Sequence, residues 1–205
     1  MVGPKSRQRV APNTVEFFQD FMSPTAYLAH TQLPALVERT GAALVRRTML
    51  TLELHELTGN RSPMTVRNKA RWALADLARF AKRYGVALAM NPHFPMKMLD
   101  VLHGAYVAET DGVLAGYCDA VFSAVWVDAV DVDDRQALRG VLEAAGLDGA
   151  GILSRVDEPA RHEALMATTR EAAQRGAFGA PTFFVADEMH FGQDRLDFVE
   201  AALRA

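Results

Sequence analysis

Cysteine is nearly absent from this chain: Cys118 is the single one among 205 residues, so no intrachain disulfide and no C-x-x-C redox pair can form. Its six histidines are scattered, with no H-x-x-x-H or Cys/His pairing, which argues against a structural zinc site. No run of apolar residues approaches the roughly 18 that a membrane span requires. Neither sign of charge is in excess. The balance of 22 Lys+Arg against 25 Asp+Glu, net −3, leaves no electrostatic footprint for nucleic acid and no polybasic membrane anchor. Walker A, G-x-G-x-x-G and G-x-S-x-G patterns are missing as well, which removes nucleotide-binding and serine-hydrolase readings. The acidic group Asp128, Asp131, Asp133 and Asp134 lacks the spacing and glycine of a calcium loop.

What is present is ordinary for a soluble protein of a reducing compartment. Half the residues are apolar and 23% are charged, enough for a sizeable core in one domain carrying an insertion. Residues 1–13 carry Lys5, Arg7 and Arg9 with two prolines and no apolar run, and read as a disordered leader rather than a secretory signal. Order is expected from Thr14. Val15, Phe17, Gln19 and Phe21 fall on one face and Glu16, Phe18 and Asp20 on the other, as in a strand buried on both sides.

Ser23-Pro24 then opens a helix, serine as cap and proline at the first helical position, and Gly41 closes it. Residues 42–54 read as a second strand, which makes a β-α-β start. From about residue 64 to 158 the periodicity is helical throughout. Ala70, Ala73, Leu74, Leu77, Ala78 and Ala81 trace the inner face of one helix that also carries six basic residues. Ala180–Ala186 is a strand, Met189–Phe191 pairs back on it, and 193–204 is the last helix.

Two segments carry chemistry. Ser23 stands where a buried strand delivers the chain to a helix N-terminus, whose free amides and partial positive charge favour an anion. A thiolate there would be stabilised, and the serine hydroxyl could donate to it; an ordinary N-cap serine gives the same pattern. In the second segment, 176–182, Pro181 directly precedes an apolar strand. A cis Ala180–Pro181 bond would turn the Ala180 backbone toward a peptide-like ligand; a plain loop-to-strand junction is the alternative. Near it, Gly192 permits close backbone approach, and Asp194 either helps hold a ligand or only complements the helix dipole. Cys118 sits on an apolar stripe as a packing thiol, and Trp72 and Trp126 are expected to pack beside the cleft.

Three stretches together resemble a known family. Phe18-Gln19-Asp20-Phe21-Met22-Ser23-Pro24-Thr25-Ala26-Tyr27-Leu28-Ala29, Gly179-Ala180-Pro181-Thr182 and Phe191-Gly192-Gln193-Asp194-Arg195-Leu196 are similar to 2-hydroxychromene-2-carboxylate isomerases. These resemble kappa-class glutathione transferases and, more distantly, DsbA-type oxidoreductases; here Ser23 and Ala26 stand where the two cysteines would be. The resemblance implies an α/β thioredoxin-like fold (β-α-β … α-β-β-α) with an inserted all-helical domain. Its parts would be 14–58 and 159–205 for the thioredoxin-like domain and 59–158 for the insertion.

It also implies a cytoplasmic homodimer with glutathione as cofactor, a small aromatic carboxylate as substrate, and no metal. Ser23 would be catalytic, bonding the glutathione sulfur. Ala180 and Pro181 would pair with the tripeptide backbone, and Phe191, Gly192 and Asp194 would hold its γ-glutamyl end. In that family the thiolate adds to the chromene ring and leaves after bond rotation. The acceptor side departs from the pattern, with His55, Thr65-Val66 and Phe94 where some members carry lysine, Asn-Arg and tyrosine. His55 and Phe94 are the substrate-side candidates. A kappa-like transferase and a non-catalytic thioredoxin-like binding module are the alternatives.

Overall fold

The computed structural model describes residues 13–205; apart from Asn13, the leader expected at 1–13 lies outside the described residues. Asn13 itself donates from its side chain to the Thr40 carbonyl at 3.3 Å. Strand β1 (Thr14–Gln19) leads into helix α1 (Pro24–Thr40) and strand β2 (Ala43–Thr48). Helices α2 (Thr51–Thr58), α3 (Arg67–Tyr84), α4 (Leu99–Thr110), α5 (Leu114–Trp126), α6 (Arg135–Ala144), α7 (Gly149–Leu153) and α8 (Pro159–Gln174) follow. The chain closes with β3 (Thr182–Val185), β4 (Glu188–Phe191) and α9 (Leu196–Leu203).

The strands form one sheet in the order β2-β1-β3-β4. β1 and β2 run parallel, Thr14 opposite Ala43, whereas β3 is antiparallel to both β1 and β4. This is the mixed sheet expected of the thioredoxin-like fold, with helices α3 to α7 lying between its two halves in sequence.

The central position of β1 explains its composition, for every one of its residues is buried. Phe17 stacks on Phe183 at 5.2 Å on the face that carries the larger core, and Phe18 meets Phe184 edge-on at 5.4 Å on the other. Glu16 is tolerated beside Phe18 because Arg175 pairs with it at 2.7 Å. The same guanidinium lies 3.8 Å from the centre of the Phe184 ring, so the buried carboxylate is neutralised by a cation with its own apolar seat.

Three details differ from the sequence expectation. The second strand stops at Thr48 rather than 54, because the Asp20 carboxylate accepts the Thr51 amide at 2.8 Å and starts a helix there. On α3 the inner face is Leu77, Ala81, Phe80 and Tyr84, and Leu74 and Ala78 point outward. Trp72 is 63% exposed rather than packed, whereas Trp126 is fully buried. No helix among the described residues is long and apolar enough to cross a membrane.

Candidate active site

The turn between β1 and α1 is built by Asp20. Its carboxylate accepts the Met22 amide at 3.0 Å, and its carbonyl accepts the Ser23 amide at 3.0 Å. Ser23 is thereby left in extended conformation as the cap of a 17-residue helix, with its hydroxyl accepting the Ala26 amide at 3.1 Å. The first turn of α1 contains no acidic residue, so nothing on the helix offsets its positive end.

Facing this end is Ala180, joined to Pro181 by a cis peptide bond. The Ala180 carbonyl accepts from the Ser23 hydroxyl at 3.1 Å and from the Thr25 hydroxyl at 3.0 Å, and these two hydroxyls are 2.9 Å apart. The Ala180 amide makes no hydrogen bond to another described residue. Ser23, Thr25 and Ala180 are all half-buried, open to a ligand on one side.

The third motif joins this group through the backbone: the Gly192 amide donates to the Pro181 carbonyl at 3.0 Å. Gly192 adopts φ +100°, a conformation for which glycine is suited, and the Asp194 carboxylate closes over it. Asp194 pairs with Arg195 at 2.8 Å, and the Tyr84 hydroxyl anchors the Gln193 carbonyl at 2.7 Å. Phe191 lies exposed beside Phe178, ring centres 4.5 Å apart. Ser23, Ala180, Pro181, Phe191 and Gly192 therefore lie at one end of the sheet, where β1 and β4 finish and β3 begins, with Asp194 in the turn after β4.

The two substrate-side candidates approach the turn from other directions. His55 is on α2; partial burial pulls its pKa down, and the Asp20 carboxylate pulls it up to a lesser degree. Phe94 packs at 6.2 Å on Trp126, whose indole N–H donates to the Phe21 carbonyl at 2.8 Å. Val66 is exposed at the start of α3, as are Arg67 and Lys69.

Cys118 takes no part in this group. It is fully buried, accepts from the Gln19 amide at 3.1 Å, and burial pushes its pKa up to about 12. The acidic group is structural: Asp133 accepts the Lys97 and Met98 amides, and Asp134 caps α6.

Two residues escaped the sequence reading. Asp20 carried a usable signal, an acid in an otherwise apolar strand end. The Thr25 contact carried none, because its partner is 155 positions away.

A family model described as a DSBA-like thioredoxin domain matches residues 14–204. The chain belongs to the DSBA-like thioredoxin family. Within that family it is similar to the 2-hydroxychromene-2-carboxylate isomerase of Sphingobium xenophagum, 35% identical over 192 residues that span 93% of this chain and 97% of that protein. A solved structure of a 2-hydroxychromene-2-carboxylate isomerase superposes with a TM-score of 0.85 at 29% identity, covering 93% of this chain and 94% of the other. Glutathione S-transferase kappa 1 of Homo sapiens is more distant, 26% identical with 92% and 89% covered. Both groups of relatives are named as enzymes, and the match covers 97% of the isomerase and 89% of the kappa transferase.

Proposed function

We propose that this protein is a glutathione-dependent isomerase acting on 2-hydroxychromene-2-carboxylate or a similar small aromatic carboxylate, as a cytoplasmic homodimer. The observation that carries the reading is the pair of hydroxyls, Ser23 and Thr25, placed at an uncompensated helix N-terminus against the Ala180 backbone. The donor set suits a thiolate: hydroxyl protons and the end of a helix whose first turn carries no acidic residue.

Bound glutathione would supply a thiolate nucleophile that can also leave again, which is the chemistry an isomerase of this kind requires. Ser23 donates its hydroxyl proton to the sulfur and so favours the ionised form. Ala180 offers its free amide to the peptide part, with Pro181 fixing the direction of that backbone. Gly192 and Asp194 hold the amino-acid end, and Phe191 covers it. His55 and Phe94 border the acceptor side, where an imidazole and an apolar ring stand in place of a more polar set. The names of the 35% identical relative and of the kappa relative support this reading together.

The test is a thiolate titration. The ultraviolet difference spectrum of glutathione is recorded from pH 5 to 9 with the wild type and with Ser23→Ala. The expected bound thiol pKa lies at least about one unit below the free value near 8.5, and is largely restored by the substitution. A lowered pKa without turnover of a chromene, but with conjugation of an electrophile, would favour the transferase. No binding would leave a thioredoxin-like binding module.

A further inference from the structure

The three contacts among Ser23, Thr25 and Ala180 hold more acceptors than protons. Three oxygen–oxygen distances, of 2.9, 3.0 and 3.1 Å, all lie within hydrogen-bond range. Each hydroxyl carries one proton, and the Ala180 carbonyl carries none. Only two of the three contacts can therefore be hydrogen bonds at any moment. The Ser23 oxygen is separately satisfied as an acceptor by the Ala26 amide.

On the glutathione reading above, on which this inference rests, the shortage of protons governs where the Ser23 proton can go. If the Ser23 proton turns toward a bound sulfur, the Ala180 carbonyl loses one donor. Thr25 remains in place at 3.0 Å, so that half-buried acceptor stays paired. The Ser23 oxygen keeps the Ala26 amide throughout. We propose that Thr25 is a positioning residue that holds the Ala180 carbonyl and thereby frees the Ser23 proton for the thiolate. Without the Thr25 hydroxyl, bonding the sulfur would strip the carbonyl of its last donor from the protein, and Ser23 would be divided between the two acceptors.

A purely structural Thr25 predicts something else. Its hydroxyl would then serve the start of α1 and the α1–β3 seam equally with or without ligand. Its loss would weaken the fold, or weaken every ligand alike, and leave the thiol pKa where it was.

The experiment uses the full chain with two probes, glutathione and S-methylglutathione, the second having no thiol to ionise. Bound thiol pKa is read from thiolate absorbance, and S-methylglutathione affinity from calorimetry, for wild type, Thr25→Val, Thr25→Ala and Thr25→Ser. The expected result is a bound thiol pKa raised by about one unit in Thr25→Val, equivalent to about tenfold in the ionisation equilibrium. Thr25→Ser keeps the wild-type value, and S-methylglutathione affinity changes less than about twofold in all variants.

Thr25→Ala removes the same hydroxyl and covers the case in which valine does not fold. A hydroxyl-free variant with the wild-type thiol pKa overturns the proposal. So does one that loses S-methylglutathione affinity as strongly as thiolate affinity. A wild type that leaves the glutathione thiol at its free pKa overturns the proposed function as well, which separates the two failures.

Discussion

Asp20 and Thr51 are joined by a 2.8 Å hydrogen bond from the Thr51 amide to a carboxylate that is 1% exposed. The other oxygen of Asp20 holds the Met22 amide, so one side chain fixes both the turn that presents Ser23 and the start of α2, which carries His55. Asp20→Ala orphans two backbone donors at once and is expected to cost about 2–4 kcal/mol in urea unfolding. A loss below about 1 kcal/mol would show that water reaches those amides.

Burial raises the Asp20 pKa, with the amide bonds from Met22 and Thr51 acting in the opposite sense. A carboxyl with a raised folded-state pKa binds its proton more tightly folded than unfolded. Its contribution to stability is therefore greatest below the ordinary carboxylate range and is lost as the pH rises through the folded value. Asp111, Asp119, Asp157 and Glu200 are shifted the other way by their Arg or His partners and mask this trend. Subtracting the pH–stability curve of Asp20→Asn from that of the wild type isolates it. The difference is expected to fall from pH 4 toward neutrality, and a rising difference would mean that the amide bonds outweigh burial.

The two tryptophans provide an optical check on the fold. Trp126 is fully buried and its indole donates to the Phe21 carbonyl, while Trp72 is 63% exposed. Trp72→Phe is expected to leave a blue-shifted emission and unchanged stability. Trp126→Phe should leave a red-shifted emission and cost about 2–4 kcal/mol, from lost packing and an unpaired carbonyl beside the Ser23 turn. Similar emission maxima from the two single-tryptophan proteins would contradict the packing of α5 against the turn that follows β1.

Much of this arrangement was legible in the chain because its signals are local. Ser23-Pro24 and Gly41 mark the ends of α1, and the apolar residues on both faces of β1 mark a central strand. Tertiary contacts overrode local signals elsewhere. The apolar residues Met49, Leu50 and Leu52 extend the pattern of β2, and only the reach of Asp20 across about 30 positions turns them into a helix start. Helix α4 gave no distinct stripe because Val101, Leu102, Ala105, Val107 and Ala108 are buried around most of its circumference. At the site, Ser23, Ala180 and Gly192 could be named from turn chemistry, whereas Thr25 depends on the approach of Ala180.

Cys118 should behave as a core atom group. With its pKa pushed up to about 12 and its sulfur fully buried beside Gln19, it holds almost no thiolate at neutral pH. Labelling by a disulfide reagent at pH 8 is expected to follow the unfolding rate, accelerating with urea, and a Cys118→Ala enzyme should retain its activity. Rapid stoichiometric labelling of the folded protein would show that α5 opens locally.

Gly192 tests the proposed amino-acid end of the site. At φ +100° and ψ 148° it occupies a region almost closed to other residues, and a Cβ there would lie 2.5 Å from an Asp194 carboxylate oxygen. Gly192→Ala is expected to cost about 1–3 kcal/mol from backbone strain alone. The close contact is with the far end of a side chain, so it is relieved by moving Asp194 and adds little to that cost. It does displace the carboxylate. Asp194→Ala and Gly192→Ala should therefore weaken glutathione binding to a similar degree, and the double variant should bind no worse than either. Unfolding of the double variant should still show the Gly192→Ala loss in full. Additive losses in binding would mean that Gly192 and Asp194 act on the ligand separately, with the Gly192 backbone itself approaching the tripeptide.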